Sequence, residues 1–143
     1  MAYFELRTPR DMLEKAEREL GRLQIEFTID NIFNFFVTAY HIQDYVKETK
    51  KVPRHILDAF LADPDLKDCQ ALCNKGKHLR LKQHPEAVTD IVNGGFGGAA
   101  FGEVAFGEGD VLKLFYGGRA VEVRGLPDRI MEKWRQFLTE YGL

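Results

Sequence analysis

Helix-start signals and amphipathic stripes dominate the first 84 residues of the chain. Thr8 is suited to cap a helix, Pro9 suits the first helical position, and Asp11 stands three residues after the cap. Apolar residues then recur at spacings of three and four, which places them on one helical face. These residues are Leu13, Ala16, Leu20, Leu23 and Phe27. The pattern predicts a first helix over Pro9–Glu26.

Three further helices are predicted before Pro85. A largely apolar segment from Asp30 to Lys50 is typical of a central helix with neighbours on several sides. Pro53 opens a short third helix, and Asp63 with Pro64 begins a fourth that is predicted to run to about Lys82. Cys69 and Cys73 lie four residues apart on the inner stripe of that helix, where they are expected to be reduced, buried thiols.

The pattern changes after Pro85. The segment 93–109 is rich in glycine, but no Lys-Ser/Thr pair follows it, so it matches no phosphate-binding loop. The run "VLKLFYGGRAVEV" predicts a β-hairpin that turns at two glycines, with Leu114 opposite Val121 and Lys113 opposite Glu122. A last helix is predicted from Pro127, and its buried side is expected to carry Ile130, Trp134, Phe137 or Leu138, and Tyr141.

This order predicts an α+β fold that is mostly helical. One domain is expected over residues 1–143. It would comprise a four-helix bundle (1–84), a glycine-rich segment with a small antiparallel sheet (85–126) and a closing helix (127–143).

Composition limits the classes of partner. The formal net charge is −2, so nucleic-acid binding would need a local basic patch. No apolar run is long enough to span a bilayer, and the first residues lack the apolar stretch of a signal peptide. A cytoplasmic protein without membrane association is expected.

The clearest basic patch follows Asn74. Residues 75–84 contain no acid and hold six basic or histidine side chains: Lys75, Lys77, His78, Arg80, Lys82 and His84. Basic residues at a helix end suit the helix dipole without any function. The alternative interpretation is a strip that binds the phosphates of RNA or a nucleotide.

Two parts of the chain carry a family resemblance: "FNFFVTAYHIQDYV" on the second helix and "DCQALCNKGKHLRL" on the fourth. They resemble a group of short uncharacterised bacterial and phage proteins that end the fourth helix in Asn-Gly-Ser-Lys-His. That group in turn is similar to the HEPN superfamily of helical domains.

The resemblance implies one of two activities. Many HEPN proteins are metal-independent ribonucleases in which an Arg steadies the phosphate, a His four to six residues later acts as acid or base, and two subunits form the site. Here Asn74 and His78 match the motif, Cys73 stands in the Arg position, and Lys77 is the candidate assisting cation. HEPN relatives without the motif bind RNA or protein partners, and the resemblance therefore favours a non-catalytic binding module that forms a homodimer.

Other interpretations remain open at this stage. A divergent ribonuclease that uses His78 is the first alternative, and a structural subunit that oligomerises through the second and fourth helices is the second. His41 and Tyr45 share a helical face and are candidates to support His78. Four possible zinc ligands (Cys69, Cys73, His78 and His84) lack the spacing of a zinc knuckle, so neither a metal nor a cofactor is expected.

Overall fold

The computed structural model describes residues 6–77, 88–92, 111–116 and 119–143. Their helices and strands are α1 (Pro9–Ile25), α2 (Ile29–Thr49), α3 (Arg54–Leu61), α4 (Pro64–Lys77), β1 (Val88–Val92), β2 (Val111–Tyr116), β3 (Arg119–Glu122) and α5 (Leu126–Glu140). Among the described helices, none combines the length and the apolar character needed to cross a membrane.

Helix α1 begins where the sequence predicts. The Thr8 hydroxyl accepts a hydrogen bond from the Asp11 amide at 3.1 Å, and the Asp11 carboxylate accepts one from the Thr8 amide at 3.1 Å. This reciprocal pair satisfies two backbone donors that the helix start would otherwise leave unpaired. The predicted capping signal at Thr8 is therefore confirmed.

The core is formed by one face of each long helix. Helix α1 packs against α2 and α5, and α2 packs also against α4 and α5. The largest side chains with almost no exposure are Trp134, Phe35, Phe36, Leu13, Ile32, Ile42, Leu57, Leu72, Leu126 and Ile130. The buried side predicted for the closing helix is confirmed at Ile130, Trp134, Phe137 and Leu138, whereas Tyr141 is only partly buried.

The predicted α+β class is wrong. The extensive contacts of the described structure join helix to helix or strand to strand, and none of them joins a strand to a helix. Such a class requires a sheet that buries one face against the helices, and the body of the fold is instead five helices with no strand among them. The chain is accordingly described as mostly helical.

The strand segments are defined by their backbone pairing. β2 lies between β1 and β3, and both pairs are antiparallel. Val88 pairs with Phe115 at one end of the β1–β2 register, and Leu114 lies opposite Val121 in the β2–β3 register. The predicted glycine-rich segment 93–109 lies outside the described residues.

Candidate functional site

The predicted basic site begins within α4, at the end of its described part. The described part of α4 runs to Lys77, so the backbone of Lys75 and Lys77 is helical. Asn74, immediately before them, is partly buried. His78, Arg80 and Lys82 lie outside the described residues, and so does His84. The structure therefore describes the start of the predicted phosphate-binding strip and leaves its histidine and its later cations as predictions.

Cys73 belongs to the core and not to an exposed site. Its side chain is 0% exposed, and Cys69, one turn earlier, is 2% exposed. The Cys69 thiol donates a weak hydrogen bond to the Phe36 carbonyl of α2, with a sulfur–oxygen distance of 3.7 Å. Burial raises the pKa of Cys69 well above its ordinary value, so this thiol stays neutral. Both cysteines are free and buried, and their reduced state in the cell stays a prediction.

His41 makes a local contact on α2. Its Nδ1 lies 2.6 Å from the Val37 carbonyl oxygen, which makes Nδ1 the protonated nitrogen that donates to this carbonyl. The imidazole also meets the Tyr40 ring edge to face, with the ring centroids 5.4 Å apart. Tyr45 packs, partly buried, against the core. Support of His78 by His41 and Tyr45 stays a prediction, since position 78 lies outside the described residues.

A cavity of about 260 Å³ lies between α2, α3, α4 and α5. Its lining is contributed by all four helices and consists of Ala39, Tyr40, Gln43, Asp58, Leu61, Leu66, Lys67, Cys69, Gln70 and Trp134. The α4 members belong to the first half of that helix, whereas the basic residues begin at Lys75. The cavity is thus a second candidate site, and Cys69, considered as a possible zinc ligand, is the one lining residue that the sequence analysis weighed for a function.

Two hydrogen bonds within α2 hold the side chain of Gln43, a polar residue of the cavity lining. The Gln43 amide nitrogen donates to the Tyr40 carbonyl at 3.1 Å, and Lys47 donates to the Gln43 amide oxygen at 3.2 Å. These two contacts fix which end of the amide is oxygen. Burial, with a smaller contribution from Cys73, raises the pKa of Tyr40. The Tyr40 hydroxyl therefore remains protonated at neutral pH and can donate a hydrogen bond.

Of the two charged side chains that line the cavity, Asp58 has an ion-pair partner and Lys67 has none in the described part of the chain. Asp58 accepts a hydrogen bond from Arg54 at 3.0 Å, so its charge is partly neutralised by a residue of its own helix. Lys67 is exposed, and its ammonium has no ion-pair partner within the described residues. The uncompensated charge in the lining is therefore positive.

Metal ligation finds no support in the described part of the chain, where no three His, Cys, Asp or Glu side chains are grouped to hold an ion. Cys69 and Cys73 face the core, and the two histidines considered with them lie outside the described residues. Searches of protein-family models, curated proteins and solved structures found no match to this chain.

A sequence signal for the cavity exists in retrospect. Tyr40 and Gln43 are three residues apart on α2, and Lys67 and Gln70 have the same spacing on α4. Residues three apart share a helical face. Two such polar pairs on adjacent helices mark a shared polar surface, but only the packing of α2 against α4 shows that they line one cavity.

Proposed function

We propose that the protein is a non-catalytic module that binds single-stranded RNA by its phosphate backbone through the basic segment, defined as Lys75, Lys77, His78, Arg80 and Lys82. The HEPN-like relationship belongs to the same proposal and rests on the sequence resemblance alone. Binding of RNA, not its cleavage, is the activity that the residues support best.

Local charge supports the binding half of the proposal. Four of the eight residues from 75 to 82 are Lys or Arg, and none of the eight is acidic, in a chain whose net charge is −2. The first two of these cations, Lys75 and Lys77, belong to helix α4. Cations grouped in this way neutralise successive phosphates and release their counterions, a contribution that does not depend on base sequence.

The burial of Cys73 carries the non-catalytic half. In the ribonuclease motif an Arg at this position steadies the phosphate, and stabilisation of developing charge on phosphate needs a cation or a strong donor. Cys73 is neither, and it is fully buried. An Arg at this position would therefore start from a buried point of α4.

Binding is tested with a fluorescently labelled single-stranded RNA and measurement of its anisotropy. The double variant Arg80→Gln/Lys82→Gln is expected to weaken binding about tenfold, since two phosphate contacts are lost. The matched control Arg18→Gln/Lys51→Gln removes the same charge from two exposed positions on α1 and the α2–α3 connection. If both variants weaken binding equally, only the net charge matters and the proposal fails.

Cleavage is tested in the same samples by electrophoresis of the RNA. The expected result is intact RNA over a range of pH. Cleavage that disappears in the His78→Ala variant would instead establish the ribonuclease. Native mass measurement checks the expected homodimer, and an oligomer that binds no RNA would favour the structural subunit.

A further inference from the structure

We propose that a single-stranded RNA bound by the basic segment continues along the polar face of α4, defined as Lys67, Gln70, Asn74 and Lys77. The inference rests on the proposed function, and it adds to that function the path of the bound strand. It is carried by the burial pattern of α4, by the chemistry of its unburied side chains and by the pairing of the carboxylates beside them.

Packing leaves one line of α4 open to a ligand. From Leu66 to Asn74, every residue is buried except Lys67, Gln70 and Asn74. These three stand three and four residues apart, so they share one helical face. Lys77 follows Asn74 by three residues and its backbone is helical, so its position continues the same line. The backbone rises by about 15 Å from Lys67 to Lys77, which gives a strand held at one end room to reach the other.

The polar face carries hydrogen-bond donors and no acid. Lys67 is exposed and has no ion-pair partner within the described residues. The side-chain amide of Asn74 makes no hydrogen bond to that part of the chain. Amides such as those of Gln70 and Asn74 can donate to phosphate oxygens and accept from the 2′-hydroxyls of RNA. The face therefore offers one cation and two amides to the part of the strand that extends beyond the basic segment.

Carboxylates beside Lys67 are paired with cations. Asp58 lines the same cavity as Lys67, and it accepts a hydrogen bond from Arg54 at 3.0 Å. Asp65 Oδ2, at the start of α4, lies 2.7 Å from the Lys133 ammonium. A carboxylate that is paired with a cation repels a phosphate less than a free one does, so the charge of Lys67 remains attractive to the strand.

The length of the RNA distinguishes the polar face from the basic segment. Labelled RNAs of about twelve and about four nucleotides are compared by anisotropy, since modules that bind single strands cover about 4–16 nucleotides. Lys67→Gln should weaken binding of the longer RNA about threefold and make its salt slope about 0.7 units shallower, because one phosphate contact is lost. Binding of the shorter RNA, which the basic segment holds alone, should not change.

Two matched pairs of variants control for net charge. Lys51→Gln removes the same charge as Lys67→Gln from another exposed position, and it should bind both RNAs as the wild type does. Gln70→Glu places a carboxylate on the polar face and should weaken binding of the longer RNA at least about threefold. Gln24→Glu makes the same change at an exposed position of α1 and should leave binding unchanged.

The outcomes separate this inference from the proposed function. If the wild type binds neither RNA, both fail. If Arg80→Gln/Lys82→Gln weakens binding while Lys67→Gln binds the longer RNA as the wild type does, the proposed function stands and the path along α4 is overturned. The path is also overturned if Lys67→Gln weakens binding of both RNAs equally, or if each control variant weakens binding as much as its partner on the polar face.

Discussion

The Lys133 ammonium lies 2.7 Å from the Asp65 Oδ2 atom, and this contact ties the middle of α5 to the first turn of α4. The same ammonium is 2.7 Å from Asp63 Oδ1, and Arg129 Nε is 3.2 Å from Asp65 Oδ2. Two carboxylates and two cations thus form one network. The network fixes the end of α4 that contributes Leu66, Lys67 and Gln70 to the cavity.

Removal of the shared cation should loosen this junction. Lys133→Gln is expected to lower the free energy of unfolding by about 1 kcal/mol, because two partly buried carboxylates lose their main donor. The measurement is urea unfolding at neutral pH. Arg18→Gln, at an exposed position on α1, serves as control and should change stability by less than about 0.5 kcal/mol. If wild type and Lys133→Gln had the same free energy of unfolding, the network would not contribute to stability.

The same network should make stability depend on pH in the acid range. Burial alone would raise the pKa of Asp65, but hydrogen bonds from Lys133 and Arg129 outweigh it and lower that pKa below 3.8. The stabilisation is therefore complete at neutral pH and is lost as the pH falls below 3.8 and through the lowered pKa. The stability difference between wild type and Asp65→Asn, followed by urea unfolding, should shrink as the pH falls through this range. A difference that stays constant would contradict the assignment.

Removal of the Thr8 cap should destabilise the start of α1. Thr8→Ala removes the hydroxyl that accepts from the Asp11 amide, and should cost about 1 kcal/mol of unfolding free energy. Thr8→Ser keeps the acceptor and should cost less. Thr139→Ala, at an exposed position of α5, is the matched control. Thermal unfolding of the three variants measures how much each one is destabilised. Equal destabilisation of Thr8→Ser and Thr8→Ala would contradict the role of the hydroxyl as a cap.

Cys73→Arg tests whether the missing motif residue can be restored. We expect a loss of about 3–5 kcal/mol or failure to fold, because a guanidinium would enter a fully buried position without a partner. Cys73→Ala keeps the position apolar and should cost about 1 kcal/mol. Unfolding and RNA cleavage are measured together. A stable Cys73→Arg protein that cleaves RNA would show that the position faces a site after all.

Local signals were sufficient to predict the helices. The cap at Thr8 and the proline at position 127 act within a few residues, and a stripe at helical spacing defines the buried face of α5 wherever its neighbours lie. Such features depend on nearest neighbours along the chain.

Features that depend on packing between elements were missed. Glu19 is a charged residue of the type that usually faces water, yet it is only 8% exposed. Its Oε1 atom lies 3.3 Å from Lys15 Nζ and 3.0 Å from Arg22 Nη1. The cavity draws its lining from four helices, and the fold class depends on which elements pack together. A strand pattern in the sequence predicts backbone pairing and does not predict a layer against the helices.

The salt dependence of RNA binding tests the central claim most directly. The logarithm of the binding constant should fall linearly with the logarithm of salt concentration, with a slope of about −0.7 for each phosphate neutralised on a single strand. The Arg80→Gln/Lys82→Gln variant should bind more weakly and with a slope about 1.4 units shallower, while Arg18→Gln/Lys51→Gln keeps the wild-type slope. Identical slopes for wild type and the basic-segment variant would contradict phosphate binding by the basic segment.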